Sequence, residues 1–163
     1  MGPALLRATA SAKGENTYNY GVFMKIKVNS GNCTGCRLCL QICAIKHYGE
    51  INPKKAALKI EASFPSPGKY HPRLCIQCGK CSESCPQEAI KMNQEGAYIV
   101  DKELCNNCGI CISSCKPGVI FQHPSLNHVI ICDLCFECAR ICNTSALIKV
   151  DSSDGVKRRV VHG

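Results

Sequence analysis

The chain has 163 residues, a formal net charge of +8 and sixteen cysteines, but only nine Phe and Tyr together and no Trp. One ordinary domain is expected at that length, yet so few large apolar side chains cannot build separate hydrophobic cores around several sites, so something other than side chains must serve as core. No apolar run approaches the ~20 residues that span a bilayer. There is also no phosphate loop, no Gly-x-Gly-x-x-Gly opening a helix and no nucleophile elbow, which leaves no readable site for nucleotide, nicotinamide or flavin.

In chain order, residues 1–23 have only a short apolar stretch broken by Arg7 and no twin arginine, and read as a flexible extension, an upstream start or a cloning remnant. Met24 opens MKIKV, a strand leading into the first cysteine loop. The long connection from Lys46 to Arg73 carries the alternation Leu58, Ile60, Ala62, which predicts a strand; Pro65, Pro67, Gly68 and Pro72 then break regular structure. This insertion either covers a neighbouring site, contacts a partner subunit, or is a plain spacer. Between Cys85 and Cys105 the pattern is helix turn, strand over Ala89–Met92, a Gly-containing turn, and strand over Tyr98–Val100. Val119–Phe121 predicts another short strand, followed by HPSLNH with Pro124 and Asn127 at turn positions. Ala146–Val150 gives the last strand, and KVDSSDGVKRRVV is a candidate hairpin whose Lys157, Arg158 and Arg159 form either a solvated face or a docking edge.

The cysteines fall into four copies of Cys-x2-Cys-x2-Cys-x3-Cys with none left over: Cys33, Cys36, Cys39, Cys43; Cys75, Cys78, Cys81, Cys85; Cys105, Cys108, Cys111, Cys115; and Cys132, Cys135, Cys138, Cys142. Their first cysteines are 42, 30 and 27 residues apart, an uneven repeat. A disulfide scaffold needs an oxidising compartment and a secretory signal, which is not visible. Structural zinc uses pairs of Cys-x2-4-Cys across a longer loop and has no need of a triplet plus one. The spacing resembles the ligand run of bacterial ferredoxins, in which four thiolates bind each 4Fe-4S cube and the fourth comes from the partner run. That resemblance implies sixteen ligands and four 4Fe-4S clusters. It pairs runs two and three as Cys75, Cys78, Cys81 with Cys115, and Cys105, Cys108, Cys111 with Cys85. The outer runs pair around them as Cys33, Cys36, Cys39 with Cys142, and Cys132, Cys135, Cys138 with Cys43.

The implied fold is α+β: tandem, nested ferredoxin-like modules of short strands and helices spanning 24–150, with an inner pair at 73–121, an outer pair at 31–46 with 130–150, and a basic tail at 151–163. The apo chain should be largely unfolded. The formal +8 ordinarily points to nucleic acid or an anionic membrane, but sixteen thiolates outweigh it, and the charge of the oxidised cubes restores only about half of theirs. The holoprotein therefore sits near neutrality, and neither nucleic acid nor direct membrane insertion is expected.

Gly79 and Gly109 follow the second cysteine of runs two and three, where a missing side chain would let backbone approach a cube. Run four has Phe136 there, which either excludes water and lowers the potential or packs as core. Pro86 follows the fourth cysteine only in run two, and ligation does not require it. His47, His71, His123, His128 and His162 are scattered, and surface or cluster-flanking roles suit them better than ligation or proton shuttling.

Over residues 24–150 the chain resembles the four-cluster, ferredoxin-like electron-transfer subunits of multisubunit redox enzymes. Cys43, His47, Gly49, Glu50, Asn52 and Pro53 carry a narrower resemblance to the small subunits of tungsten-pterin aldehyde oxidoreductases and related enzymes, including the benzoyl-CoA type. Iron-sulfur subunits of hydrogenases, formate dehydrogenases and molybdopterin reductases share much of run one, but commonly have an enlarged run that is absent here. The resemblance implies a non-catalytic relay between a large tungsten-pterin subunit, acting on aldehydes or carboxylic acids, and ferredoxin or another carrier, in the reducing cytoplasm of anaerobic metabolism. The alternatives are a subunit of one of those other complexes, or a free polyferredoxin. Catalysis by the chain itself would need an open iron position, and all sixteen thiolates are committed.

Overall fold

The computed structural model describes residues 24–66 and 68–151. Residues 1–23, Pro67 and the basic end with Lys157, Arg158, Arg159 and His162 lie outside the described residues.

Strand β1 (Met24–Val28) alternates Lys with apolar residues and turns Ile26 inward. It leads through a 3-10 turn into run one and helix α1 (Leu38–Tyr48), the longest element among the described residues. Gly49 ends α1 in the left-handed region (φ 70°) and donates its amide to the Ile45 carbonyl at 2.9 Å, while Lys46 and His47 occupy the last turn, where basic groups suit the helix dipole. The sequence reading did not anticipate this helix. Asn52 then accepts the Lys54 amide at 3.1 Å and Pro53 opens a second 3-10 turn, which reverses the chain toward β2 (Lys59–Ala62).

Strand β2 pairs antiparallel with β3 (Tyr70–Arg73), placing Pro72 opposite Ile60. This corrects the expectation that Pro72 breaks regular structure. In a two-stranded sheet each strand is an edge, so a missing N–H is tolerated on the outward side. Short helix α2 (Lys80–Glu83) follows in run two, then the hairpin of β4 (Ile90–Met92) and β5 (Tyr98–Val100). Its turn is held by the Asn93 side chain, which accepts from the Glu95 and Ala97 amides at 3.0 and 2.8 Å. Helix α3 (Ile110–Ser114) belongs to run three. The strand expected over Val119–Phe121 reduces to one antiparallel bridge, Phe121 to Ile130, flanking the HPSLNH turn. Helix α4 (Glu137–Arg140) lies in run four and β6 (Leu147–Asp151) closes the described chain.

Strand β6 pairs with β1 from Met24↔Asp151 to Val28↔Leu147, joining the two ends of the described chain. Of the expected terminal hairpin only Lys149–Asp151 is described, and it forms the end of β6. The topology has a symmetry. Run two is followed by β4, and β5 leads into run three; run four is followed by β6, and β1 leads into run one. Helix α2 packs on α3, and α1 on α4. Cysteines make up much of both buried clusters: Cys39, Cys43 and Cys138 with Leu40, Leu58 and Leu147, and Cys81 and Cys111 with Ile90, Ile120 and Val129. Among the described residues no helix is long and apolar enough to cross a membrane.

Candidate metal centres

Each cysteine run folds by the same local device. The residues on both sides of the second cysteine are left-handed: Gly35 and Arg37, Gln77 and Gly79, Asn107 and Gly109, Leu134 and Phe136, with φ between 55° and 78°. This curls the backbone so that the first three thiols of a run point to one place, and the residue after the second cysteine caps a helix. The third cysteine lies on or at that helix, and the fourth follows about one turn later, aimed elsewhere.

The structure thereby brings thiols together across runs. Cys33, Cys36, Cys39 and Cys142 line one small cavity, and Cys85, Cys105, Cys108 and Cys111 line another. Burial pushes the Cys75 thiol up to about 11, with the charges of Cys81, Cys115 and Cys78 beside it adding to the shift. Burial likewise raises Cys43 to about 11 and Cys138 to about 12; Cys135 adjoins both, and Cys43 adjoins Cys138. Cys132 is raised further still by burial and also neighbours Cys138. The groups neighbour one another in series, Cys39 next to Cys138, Cys132 next to Cys75, and Cys81 next to Cys111.

Buried thiols with raised pKa are protonated and inert on their own. A positively charged metal group bound by four sulfurs together reverses that penalty. Backbone amides already face the sulfurs, Ala57 to Cys43 at 3.3 Å, Gln77 to Cys75 at 3.4 Å and Val119 to Cys115 at 3.5 Å. Cys142 is the exception among the shifted thiols. Burial is its largest single influence and raises it, but the amides of Leu147, Ala146 and Thr144 with the Thr144 hydroxyl together outweigh burial and leave it lowered. No disulfide joins any of the sixteen cysteines. Four soft donors to a group, amide-lined and largely withdrawn from water, fit a 4Fe-4S cube.

In runs one, two and three the second cysteine is the most exposed. Cys36, Cys78 and Cys108 are open to solvent, whereas Cys135 is half-buried. Backbone conformation and neighbouring side chains both favour glycine at Gly79 and Gly109. Both have φ 78°, and a Cβ on Gly79 would lie 2.5 Å from Tyr98 Oη, while one on Gly109 would lie 3.3 Å from Gln122 Nε2. Phe136 adopts the same conformation (φ 61°) and stacks under Lys149 Nζ at 4.4 Å. The long insertion lies over the first group: a Cβ on Gly35 would meet the Tyr70 ring at 2.6 Å, and Ile60 and Pro72 wall the cavity of Cys33, Cys36, Cys39 and Cys142.

Three side chains near the thiols escaped the sequence reading. Gln77 donates its amide N–H to the Cys132 carbonyl at 2.9 Å and accepts from the Tyr98 amide at 2.9 Å, tying run two to run four. Asp133 accepts the Cys135 amide at 3.1 Å. Lys55 is buried, ion-paired to Glu50 at 2.5 Å and placed over the Tyr48 ring at 5.4 Å. His47 lies 3.5 Å from Cys135 Sγ, which makes it a flanking residue; His71 pairs with Ser63 at 3.0 Å on the surface, and His123 approaches Asn52 at 3.4 Å. His128 is buried.

Residues 32–90 and residues 74–120 each match a model of the 4Fe-4S dicluster domain. Together these matches make residues 32–120 similar to ferredoxin-like 4Fe-4S domains. The first stretch contains runs one and two in sequence, although the thiols of run one fold against run four. Over 81 residues the chain is 35% identical to the polyferredoxin-like subunit of the aliphatic sulfonate oxidoreductase of Pyrococcus furiosus, a match that covers 48% of this chain and 46% of that one. It is 36% identical over 74 residues to one of the subunits of the ferredoxin:CoB-CoM heterodisulfide reductase of Methanosarcina acetivorans, covering 39% of this chain and 9% of that one. The matches therefore span less than half of either relative. Among solved structures, the active-site complex BamBC of benzoyl coenzyme A reductase with benzoyl-CoA aligns with 80% of this chain and 81% of that chain, at 22% identity and a TM-score of 0.47.

Proposed function

We propose that this chain is the electron-relay subunit of a multisubunit oxidoreductase, in which all sixteen cysteines hold four 4Fe-4S clusters. Two nested ferredoxin-like units carry them, an inner one over 73–121 and an outer one over 31–46 with 130–150. The ligand sets are Cys33, Cys36, Cys39, Cys142; Cys43, Cys132, Cys135, Cys138; Cys75, Cys78, Cys81, Cys115; and Cys85, Cys105, Cys108, Cys111. The observation that carries this reading is the gathering of thiols from two runs into one cavity, Cys142 with Cys33, Cys36 and Cys39, and Cys85 with Cys105, Cys108 and Cys111, with the remaining thiols in series between them.

Each cluster, when bound, takes up and passes on one electron with little change of geometry. The protein's part is to hold the sulfurs, keep them close from group to group and exclude water from most of them. Cys36 and Cys108 in the two end groups, and Cys78 in a middle one, are exposed, so each of these three groups offers a sulfur to an outside donor or acceptor. With four thiols to each four-iron cube no iron is left without a protein ligand, which supports a non-catalytic chain.

The catalytic partner in this reading is a large tungsten-pterin subunit, and the outside carrier is ferredoxin or a similar protein, in the reducing cytoplasm. Support for a subunit role comes from the Pyrococcus relative, which is itself named as a subunit. Support for the tungsten class is the motif at Cys43, His47, Gly49, Glu50, Asn52 and Pro53. Its residues end α1, reverse the chain and bring the Ala57 amide to Cys43 Sγ. Gel filtration of an anaerobic native lysate tests the reading. The chain should elute with a large subunit containing tungsten; elution alone at its own mass of 17.7 kDa would make it a free polyferredoxin.

A further inference from the structure

One of the four cysteine groups differs from the rest in its surroundings. The residue four places after the fourth cysteine of each run is His47, Ala89, Val119 or Ala146, so only run one has a side-chain N–H there. The residue after the first cysteine is Thr34, Ile76, Asn106 or Asp133, so only run four has a carboxylate. The topology brings these two exceptions to the same sulfur. His47 Nε2 is 3.5 Å from Cys135 Sγ and 3.5 Å from Asp133 Oδ1, although the histidine and cysteine are 88 residues apart in sequence. This is also the group whose second cysteine is withdrawn from solvent.

The two neighbours of Nε2 decide where its hydrogen is. A thiolate and a carboxylate are both acceptors, so a ring nitrogen between them must donate. At 3.5 Å an N–H···O contact is at the loose limit of a hydrogen bond, whereas the larger radius of sulfur makes the same distance an ordinary N–H···S bond. Sulfur is therefore the principal acceptor. Asp133 acts as the orienting group: the same Oδ1 accepts the Cys135 amide at 3.1 Å, which fixes the carboxylate relative to the sulfur it helps His47 to reach. Helix α1 supplies the remaining constraint, because Cys43 and His47 stand one turn apart and face the same group.

We propose that His47 tunes the cluster held by Cys43, Cys132, Cys135 and Cys138, donating a hydrogen bond to Cys135 Sγ that raises the reduction potential of this cluster above the value its burial would give. A donated N–H disperses sulfur charge and favours the more negative, reduced state, while the Asp133 carboxylate acts in the opposite sense. This inference rests on the ligand sets proposed above. His47 is a positioning and tuning residue, touching the sulfur and not the iron.

The test is an EPR-monitored redox titration of the anaerobically purified full chain, with iron content measured on every sample. His47→Leu should keep all of the iron and move one of the four midpoint potentials downward, leaving the other three in place. His47→Gln, which restores an N–H donor, should return that potential toward wild type. Asp133→Asn, which keeps an acceptor for the Cys135 amide but removes the charge, should move the same potential upward. Full iron in His47→Leu with no potential moved, or with all four moved alike, would overturn the tuning role and leave the ligand sets intact. Loss of one cluster in His47→Leu would also overturn it, by making the imidazole a structural support. Fewer than four clusters in the wild-type chain would bring down the ligand sets themselves, and the tuning role with them.

Discussion

The inner and outer halves of this chain solve one problem with different parts. In the inner half, runs two and three are joined by their own β4–β5 hairpin, flanked by the short helices α2 and α3, with glycine at both left-handed capping positions and a Ser84 to Ser114 contact of 2.7 Å at their meeting point. In the outer half the inner half is inserted between the runs, so the equivalent hairpin must be assembled from the two ends of the described chain, β1 and β6. The compensation is local. Helix α1 runs to eleven residues, Arg37 and Phe136 accept left-handed backbone, and the β2–β3 hairpin covers the first cysteine group. A half closed by contacts near in sequence forms cheaply in entropy, whereas one closed by its ends depends on the packing around its thiols.

The sharpest way to break this comparison is to remove one crossing thiol from each half. Cys43 is 6% exposed, lies within α1 and accepts the Ala57 amide, and α1 also carries Cys39 of the neighbouring group. Cys43→Ala should therefore cost both outer clusters, about eight iron atoms, whereas Cys85→Ala, just past a four-residue helix, should cost one cluster and about four. Iron analysis and EPR spin counting decide between this and equal losses.

A smaller effect separates the capping positions. Gly79→Ala places a methyl group 2.5 Å from Tyr98 Oη in left-handed backbone and should destabilise the loaded protein by about 2 kcal/mol. Gly109→Ala meets only the flexible end of Gln122 and should cost about 1 kcal/mol. Phe136→Gly relaxes the same backbone strain but loses the ring under Lys149, so its net change should stay within about 1 kcal/mol. Anaerobic thermal unfolding of the three variants gives the order.

The smallest effect belongs to the β2–β3 hairpin. Glu61 has its carboxyl held below the ordinary range, by the Lys59 ammonium first and the Arg73 guanidinium second. A depressed carboxyl contributes stability above its unfolded pKa and loses it as pH falls through the lowered folded value. Hydrogen exchange of hairpin amides, corrected for intrinsic rates, should speed up in that acid window for wild type, and Glu61→Gln should abolish the dependence.

Much of the inner half was legible because its determinants are close in sequence. The strands at 90–92 and 98–100 sit where alternation and turn residues put them, and the four cysteine runs needed only counting. The outer half was harder to read. MKIKV and Ala146–Val150 each read as a strand, but nothing local says that they pair with one another. Helix α1 was hidden because cysteines at 39 and 43 look like loop ligands, although their spacing is also one helical turn. Pro72 reads as a breaker until its partner strand shows that it lies on an edge. His47 looked like a scattered surface histidine, since the feature that gives it a role, Asp133 beside Cys135, comes from the other end of the fold.

The central claim is that the outer thiols hold metal as the inner ones do. Iron and acid-labile sulfide per chain, measured on anaerobically purified wild type, test it most directly. About sixteen of each, with four separable spin systems on reduction, is the predicted result; about eight of each, with the thiols of runs one and four free to alkylate, would contradict it.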